Sequence, residues 1–273
     1  MSTAGSLWTV VYKTRTRPRR IFVMRKGKSP GALRFLEHME RAKELRRQVI
    51  TGAGLTSQQL TLSAWQTDRL AATYADFAVQ KRYKAALEFF LTDLYGTKDF
   101  AQRDSDIERV YPIMVRVLSE NAVESMSLAV ELHALTQELD SELMDVMTRV
   151  YNIDIGKHPE LLDQALYAQA YRECDNYQLR SRQIELICES GVLLDEVVRH
   201  PVIYAMAKLA RGPAHAAGFG ELQDFIERGL KGFRKMKGAD EFLTAIGKRE
   251  FFILDQVYSG APLSDWSATF FNS

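Results

Sequence analysis

Four carboxylates, Glu124, Glu131, Glu138 and Asp145, recur at intervals of seven in a stretch with no lysine or arginine between Arg116 and Arg149. Two turns of α-helix nearly realign residues seven apart, so on a helix these acids form one ridge. Acids stacked this way cost helix stability unless positive charge lies across them. As functional groups they would make a metal site or a docking ridge for a basic protein partner along residues 120–145. As structural groups they would be satisfied by arginines of neighbouring helices, Arg180 and Arg182 among them. Charge rows on helix faces favour the structural role.

The metal reading can be tested on spacing. A di-iron bundle needs a Glu-x-x-His pair on each of two helices. None of His38, His133, His158, His200 or His215 has a glutamate three positions before it, and there is no His-Glu-x-x-His. Nucleophiles fare no better. There is no Gly-x-Ser-x-Gly elbow, and Cys174 and Cys188 both fall inside helical patterns, where a buried inert thiol is the default. The sequence therefore assigns no catalytic residue, no metal and no cofactor.

The candidate ligand pocket is "ARGPAHAAGFGELQ", residues 210–223. Arg211 and His215 precede a Gly-x-Gly turn and a helix N-terminus, whose N–H groups can hold an anion. Glu221 in that first turn would repel one, and no strand precedes it. The competing reading is a tight interhelical turn with small residues for close packing. The most patterned stretch, "EFFLTDLYGTKDFAQRDSDIERVYPIM" at residues 88–114, reads as a joint between helices. Phe89, Phe90, Leu94 and Tyr95 are expected to be buried or partly buried, and Asp93 to serve stability.

The elements that position these groups are helices. Ser29 and Pro30 fit an N-cap and first turn. Thr56–Gln59, Ser105–Glu108 and Asn121–Glu124 fit the capping box. Leu128, Leu132, Leu135, Leu139, Leu143 and Val146 share one face of the helix that carries the acids. His158-Pro159, Asp175 or Asn176, and Asp240 read as helix starts; Gly96, His200-Pro201, Arg211-Gly212-Pro213 and Gly238 read as stops. Gly229 and Gly232, inside an otherwise good helix, indicate close helix–helix approach. The expected fold is all-α: one domain of roughly nine to eleven helices over residues 29–258, with an irregular tail at 259–273.

Residues 1–28 differ. They hold eight basic residues and no acid, and the remaining 245 carry 28 basic against 35 acidic. This basic arm reads as a hairpin, as disorder, or as a segment before a later start at Met24 or Met39. It is the one feature suggestive of nucleic acid, but an acidic body repels the duplex, so nucleic-acid binding ranks lowest among its roles. No run of about 20 apolar residues suggests a membrane span. Two cysteines make no disulfide framework, which points to the cytoplasm.

The ordered segments "WQTDRLAATYADF", "FFLTDLYGTKDFAQRDSDIERVYPIMVRVL", "ELHALTQELD" and "RGPAHAAGFGELQDFIERGLKGFRKMKGADEFLTAIGKRE" together resemble a proteobacterial family of helical proteins labelled by an FFLEELY motif. Here the motif reads Phe89-Phe90-Leu91-Thr92-Asp93-Leu94-Tyr95, and the resemblance runs over about residues 62–258. It implies a helical cytoplasmic protein and, since that family has no assigned activity, no catalytic residue. The expectation is a non-catalytic interaction or regulatory module. The alternative is a small-molecule-binding protein or enzyme with an interhelical pocket near Arg211 and His215.

Overall fold

A computed structural model describes residues 33–41, 55–94, 102, 105–111 and 120–260. Among these residues every regular element is helical, and the fold is all-α. We number α1 Ser57–Thr73, α2 Ala75–Ala78, α3 Lys84–Phe89, α4 Glu120–Arg149, α5 Gln164–Glu173, α6 Tyr177–Arg199, α7 Pro201–Ala216, α8 Gly220–Met236 and α9 Asp240–Ser259. Residues 33–41 and 105–111 are also helical. The basic arm at 1–28, the turn after Leu94 and the tail from residue 261 lie outside the described residues.

Several boundaries follow from local chemistry. The Thr56 hydroxyl accepts the Gln59 N–H while the Gln59 side chain accepts the Thr56 N–H, closing the expected capping box. Asn121 does not start α4, because the helix is already formed at Glu120. Pro159 opens only a 3₁₀ turn, Pro159–Leu161; α5 begins after it, where the Asp163 carboxylate accepts the Leu166 N–H at 2.8 Å. Asp240 is the first residue of α9, with Ala239 at the cap position. Lys237 itself takes the left-handed conformation that ends α8, followed by Gly238 at φ 121°.

Pro213 does not stop α7. The helix runs through it to Ala216, and the Ala217 N–H still reaches the Pro213 carbonyl. A proline deletes one N–H donor, and the carbonyl it would have served, that of Leu209, lies on an exposed residue that water can reach. Gly218, at φ 82°, follows the helix.

Two large apolar clusters organise the bundle. One joins Leu70, Tyr74, Phe77, Tyr83, Leu87, Phe90, Phe233 and Phe242. The other joins Leu62, Leu143, Met147, Ile155, Leu166, Tyr167, Ile253 and Val257. Helix α9 contributes to both, with Ile246 in the first and Ile253 in the second. The leucine face of α4 behaves as its spacing predicts: Leu135 and Leu139 bury against Leu186 of α6. A fourth cluster seats Phe35 and Met39, from helix 33–41, on Tyr111, Val123 and Val130.

Close approach of α8 to α3 explains both glycines. A Cβ on Gly232 would stand 3.1 Å from the Ala85 carbonyl oxygen and from the Ala86 Cα; one on Gly229 would meet the Phe89 ring at 3.0 Å. Gly212 in α7 has nothing within 4 Å. The two sites should therefore respond oppositely to alanine. Gly212→Ala gains helix propensity, up to about 1 kcal/mol. Gly232→Ala makes the same gain but forces two backbones apart, for a net loss of about 1–2 kcal/mol. Denaturant midpoints of the two variants against wild type check the sign.

Candidate functional site

The acidic ridge is matched within the chain. Glu124 accepts from Arg34 and Glu138 from Arg41. Glu131 lies 3.5 Å from the His38 Nε2 and 3.3 Å from the Arg182 Nε. Asp145 pairs locally, with Arg149. Arg34, His38 and Arg41 fall on one face of helix 33–41, which lies over α4 with Phe35 and Met39 inserted beneath. Sequence reasoning gave Arg182 its role but missed this helix as the cover. Arg180, its expected companion, is buried elsewhere.

The joint after α3 is a structural tie. The helix loosens into a π-turn at Phe90–Leu94. Phe89 and Phe90 are buried, whereas Leu94 is exposed, contrary to expectation. Asp93 is buried, and Arg228 of α8 grips it through Nε and Nη2, the latter at 2.7 Å.

Arg211 and His215 do meet carboxylates, but on the surface. Arg211 donates to Glu227 at 2.7 Å and lies 3.5 Å from Asp224; the His215 Nε2 lies 3.2 Å from Asp224. Each of the two side chains faces an acid of α8, and together they fasten the second half of α7. Gln223 adds a bond to the Ala207 carbonyl at 2.6 Å. Tyr204, in the first half, lies under the guanidinium of Arg234 at 4.4 Å.

That fastening holds a helix that buries none of its own residues. At 100° per residue, Tyr204, Ala207, Arg211 and Ala214 point toward the body, and Val202, Ala205, Met206, Leu209, Gly212, Pro213 and Ala216 point away. All seven of the latter are exposed, Val202 by 67% and Leu209 by 79%. The outward face of α7 is thus apolar and uncharged, the inverse of an ordinary surface helix.

The richest polar constellation is internal and was not anticipated. A cavity of about 50 Å³ lies between the two large clusters, lined by α1, α4, α5, α6 and α9. Arg180 enters it with only 2% of its surface exposed. Its guanidinium stacks over Tyr171 at 4.2 Å and donates to the Leu139 carbonyl at 3.0 Å. Arg69 enters from α1, donating to both oxygens of Glu250, which also accepts from the Tyr74 hydroxyl. Burial pushes the Asp140 carboxyl above its ordinary value, against the pull of Arg180 and of a hydrogen bond from Gln66. The cysteines lie apart from any such chemistry: burial pushes the Cys174 thiol up to about 11 and raises that of Cys188 as well. Among the described residues no group of histidines, cysteines and acids could hold a metal ion, and no helix is long and apolar enough to cross a membrane.

The ridge generates a pH prediction. Burial holds the His38 pKa below its ordinary value; Glu131 and Glu37 oppose this, while Arg41 and Arg34 reinforce it. The folded state resists the proton, so the contribution of His38 is present above the ordinary histidine value and is lost as pH falls through the depressed one. Protease cleavage and hydrogen exchange within residues 33–41, each taken relative to an unstructured peptide at the same pH, should rise on acidification from neutral pH. Glu131→Gln, which removes the shared acceptor of His38 and Arg182, should raise both at neutral pH while changing global stability by no more than about 1 kcal/mol.

No curated protein and no solved structure matches this chain. A family model described as a domain of unknown function (DUF8198) matches residues 45–264, a span that holds α1 to α9, the outward face of α7 and the central cavity but not helix 33–41. The chain is a member of that family.

Proposed function

We propose that the protein is a non-catalytic interaction module whose docking surface is the outward face of α7. The observation that carries this reading is the uncharged, exposed apolar face itself. Contiguous apolar surface on an otherwise polar protein marks a place where another molecule sits. The acidic ridge, the other candidate surface, is already occupied by helix 33–41. We also place the chain with the FFLEELY-like helical proteins, whose resemblance at residues 62–258 falls inside the matched span.

The pattern on the face indicates a helix as the occupant. Val202, Ala205, Leu209, Gly212 and Ala216 follow alternating spacings of three and four, the seam of a coiled coil. The sizes favour a second copy in antiparallel register. Bulky Val202 and Met206 occupy the first half, small Gly212 and Ala216 the second, and Leu209 stands midway between residues 202 and 216. Turned end for end, one α7 offers small residues where its mate is bulky, in a two-fold contact. Sixteen residues make a helix of roughly 24 Å. A pair that short buries less than the ~1,200–2,000 Å² of stable complexes, so the association is weak and reversible.

Sedimentation across a concentration series tests this. The wild-type protein should pass from monomer toward dimer as concentration rises. Leu209→Glu, which places a charge against its own image, should stay monomeric with an unchanged circular dichroism spectrum. A wild type that remains monomeric to about 1 mM, a threshold of roughly −4 kcal/mol, or a Leu209→Glu variant that pairs equally well, removes the reading.

A further inference from the structure

The C-terminal half of α8 gathers positive charge that the rest of the chain answers only in part. Between Arg228 and Ala239 stand five cations, Arg228, Lys231, Arg234, Lys235 and Lys237, and no acid. Cations at a helix C-terminus ordinarily meet its last carbonyls. Here those carbonyls are met from elsewhere: Arg82 donates to that of Met236 at 2.6 Å and to that of Gly238 at 3.2 Å. Arg228 is taken by Asp93. Among the described residues neither Arg234 nor Lys237 pairs with an acid. Arg234 lies over the Tyr204 ring at 4.4 Å, which leaves its N–H groups unused. Both side chains line a cleft of about 460 Å³, where α6 and α8 end and α7 and α9 begin. That volume falls in the ~300–1,000 Å³ range of small-molecule sites. The charge of the cleft is unevenly answered. Arg199 donates to the buried Asp195 through Nε, at 3.1 Å, and through Nη2; Asp195 and then Asp240 hold its proton more tightly. Arg234 and Lys237 have no such answer.

We propose that this cleft binds a phosphomonoester of a small hydroxylated molecule, with Arg234 and Lys237 as the ligands of its phosphate. Two cations without acids match the charge of about −1.5 to −2 that a phosphomonoester carries at neutral pH. The guanidinium supplies a planar fork for two phosphate oxygens and the ammonium a point charge for the third. Both side chains are exposed, so an ester enters from solvent without any helix moving. Val198, Pro201 and Phe233 give the cleft an apolar wall for the carbon skeleton. Asp240 also lines the cleft and, among the described residues, its carboxylate accepts no hydrogen bond, so it is open to the hydroxyl donors of the ligand. Lys231 and Lys235, exposed on the same half of α8, strengthen the field that draws an anion in.

The test uses the full chain with glycerol 3-phosphate as the probe, at ~150 mM salt, where exposed charges more than ~8 Å apart are largely screened. The ester should give a saturable 1:1 isotherm by calorimetry and raise the melting temperature. Glycerol should do neither, and inorganic phosphate should bind more weakly than the ester. Arg234→Gln and Lys237→Gln should each weaken the ester by about tenfold, the worth of one hydrogen bond to a charged group. Lys235→Gln removes an equal charge from the same half of α8 outside the cleft, and should change the affinity by less than about twofold. All three positions are exposed, so circular dichroism should show each variant folded like wild type. Absence of saturable binding to wild type overturns the assignment. So does a Lys235→Gln variant that weakens binding as much as Lys237→Gln, because the attraction is then diffuse. Inorganic phosphate that binds as tightly as the ester also overturns it, because the cleft then reads no organic part. The α7 reading is independent: sedimentation decides it, and ester binding decides this one.

Discussion

A guanidinium leaves water at a cost that falls as acceptors meet its N–H donors and an acid or aromatic face answers its charge. Two guanidiniums sit between the apolar clusters of this protein, and the bundle is arranged around that demand. Arg69 obtains Glu250 from α9, and Glu250 is completed by Tyr74. Arg180 obtains a carbonyl from α4 and an aromatic face from α5. To bring these groups together α1, α4, α5, α6 and α9 must hold one register. The two clusters they fill are bridged by α1, through Leu62 and Leu70, and by α9, through Ile246 and Ile253. A small displacement of α9 would therefore disturb Arg69 and both clusters at once.

The periphery is organised by different means. Helix 33–41 sits on α4 by a small apolar contact and by ion pairs of modest worth. Helix α7 is held on α8 by charged and amide side chains, with Tyr204 and Ala207 as its apolar footing. Helix 33–41 rests on a small cluster of its own, and α7 touches the first large cluster through partly buried side chains. The ties that do reach the core use single ionic contacts at joints: Asp93 with Arg228 across α3 and α8, and Asp76 with Arg249 across α2 and α9. Such pairs at element ends fix crossing geometry, while the apolar area supplies most of the stabilisation.

Much of the fold is legible in the residues because helices carry local signatures. The capping box at Thr56, the leucine face of α4 and the paired glycines of α8 are all dictated within a few residues. The misreadings arise where local rules compete. Pro213 reads as a stop, yet the helix passes it because the deleted bond is near the end and open to water. Pro159 reads as a start, yet Asp163 supplies the better cap. The acidic ridge was legible as a row, but not its cover, because Arg34, His38 and Arg41 are ordinary alone and meaningful only opposite α4. Arg180 was named for its charge and expected opposite the acidic ridge. Nothing in its neighbourhood along the chain distinguishes a buried arginine from an exposed one. Its burial depends on five helices meeting, a relation that spans residues 66–257. Arg211 and His215, read either as a pocket or as part of a tight turn, pair with acids of α8.

The shallow footing of α7 has a kinetic consequence. A helix with no buried residue lies at the low end of local stability, so it can open while the rest of the bundle stays closed. Its amides would exchange with solvent through such partial openings, long before those of α4 or α9. Substitutions on its outward face would leave the melting of the whole molecule nearly untouched. That face is free to drift in sequence, from one member of the family to another, without endangering the fold that presents it.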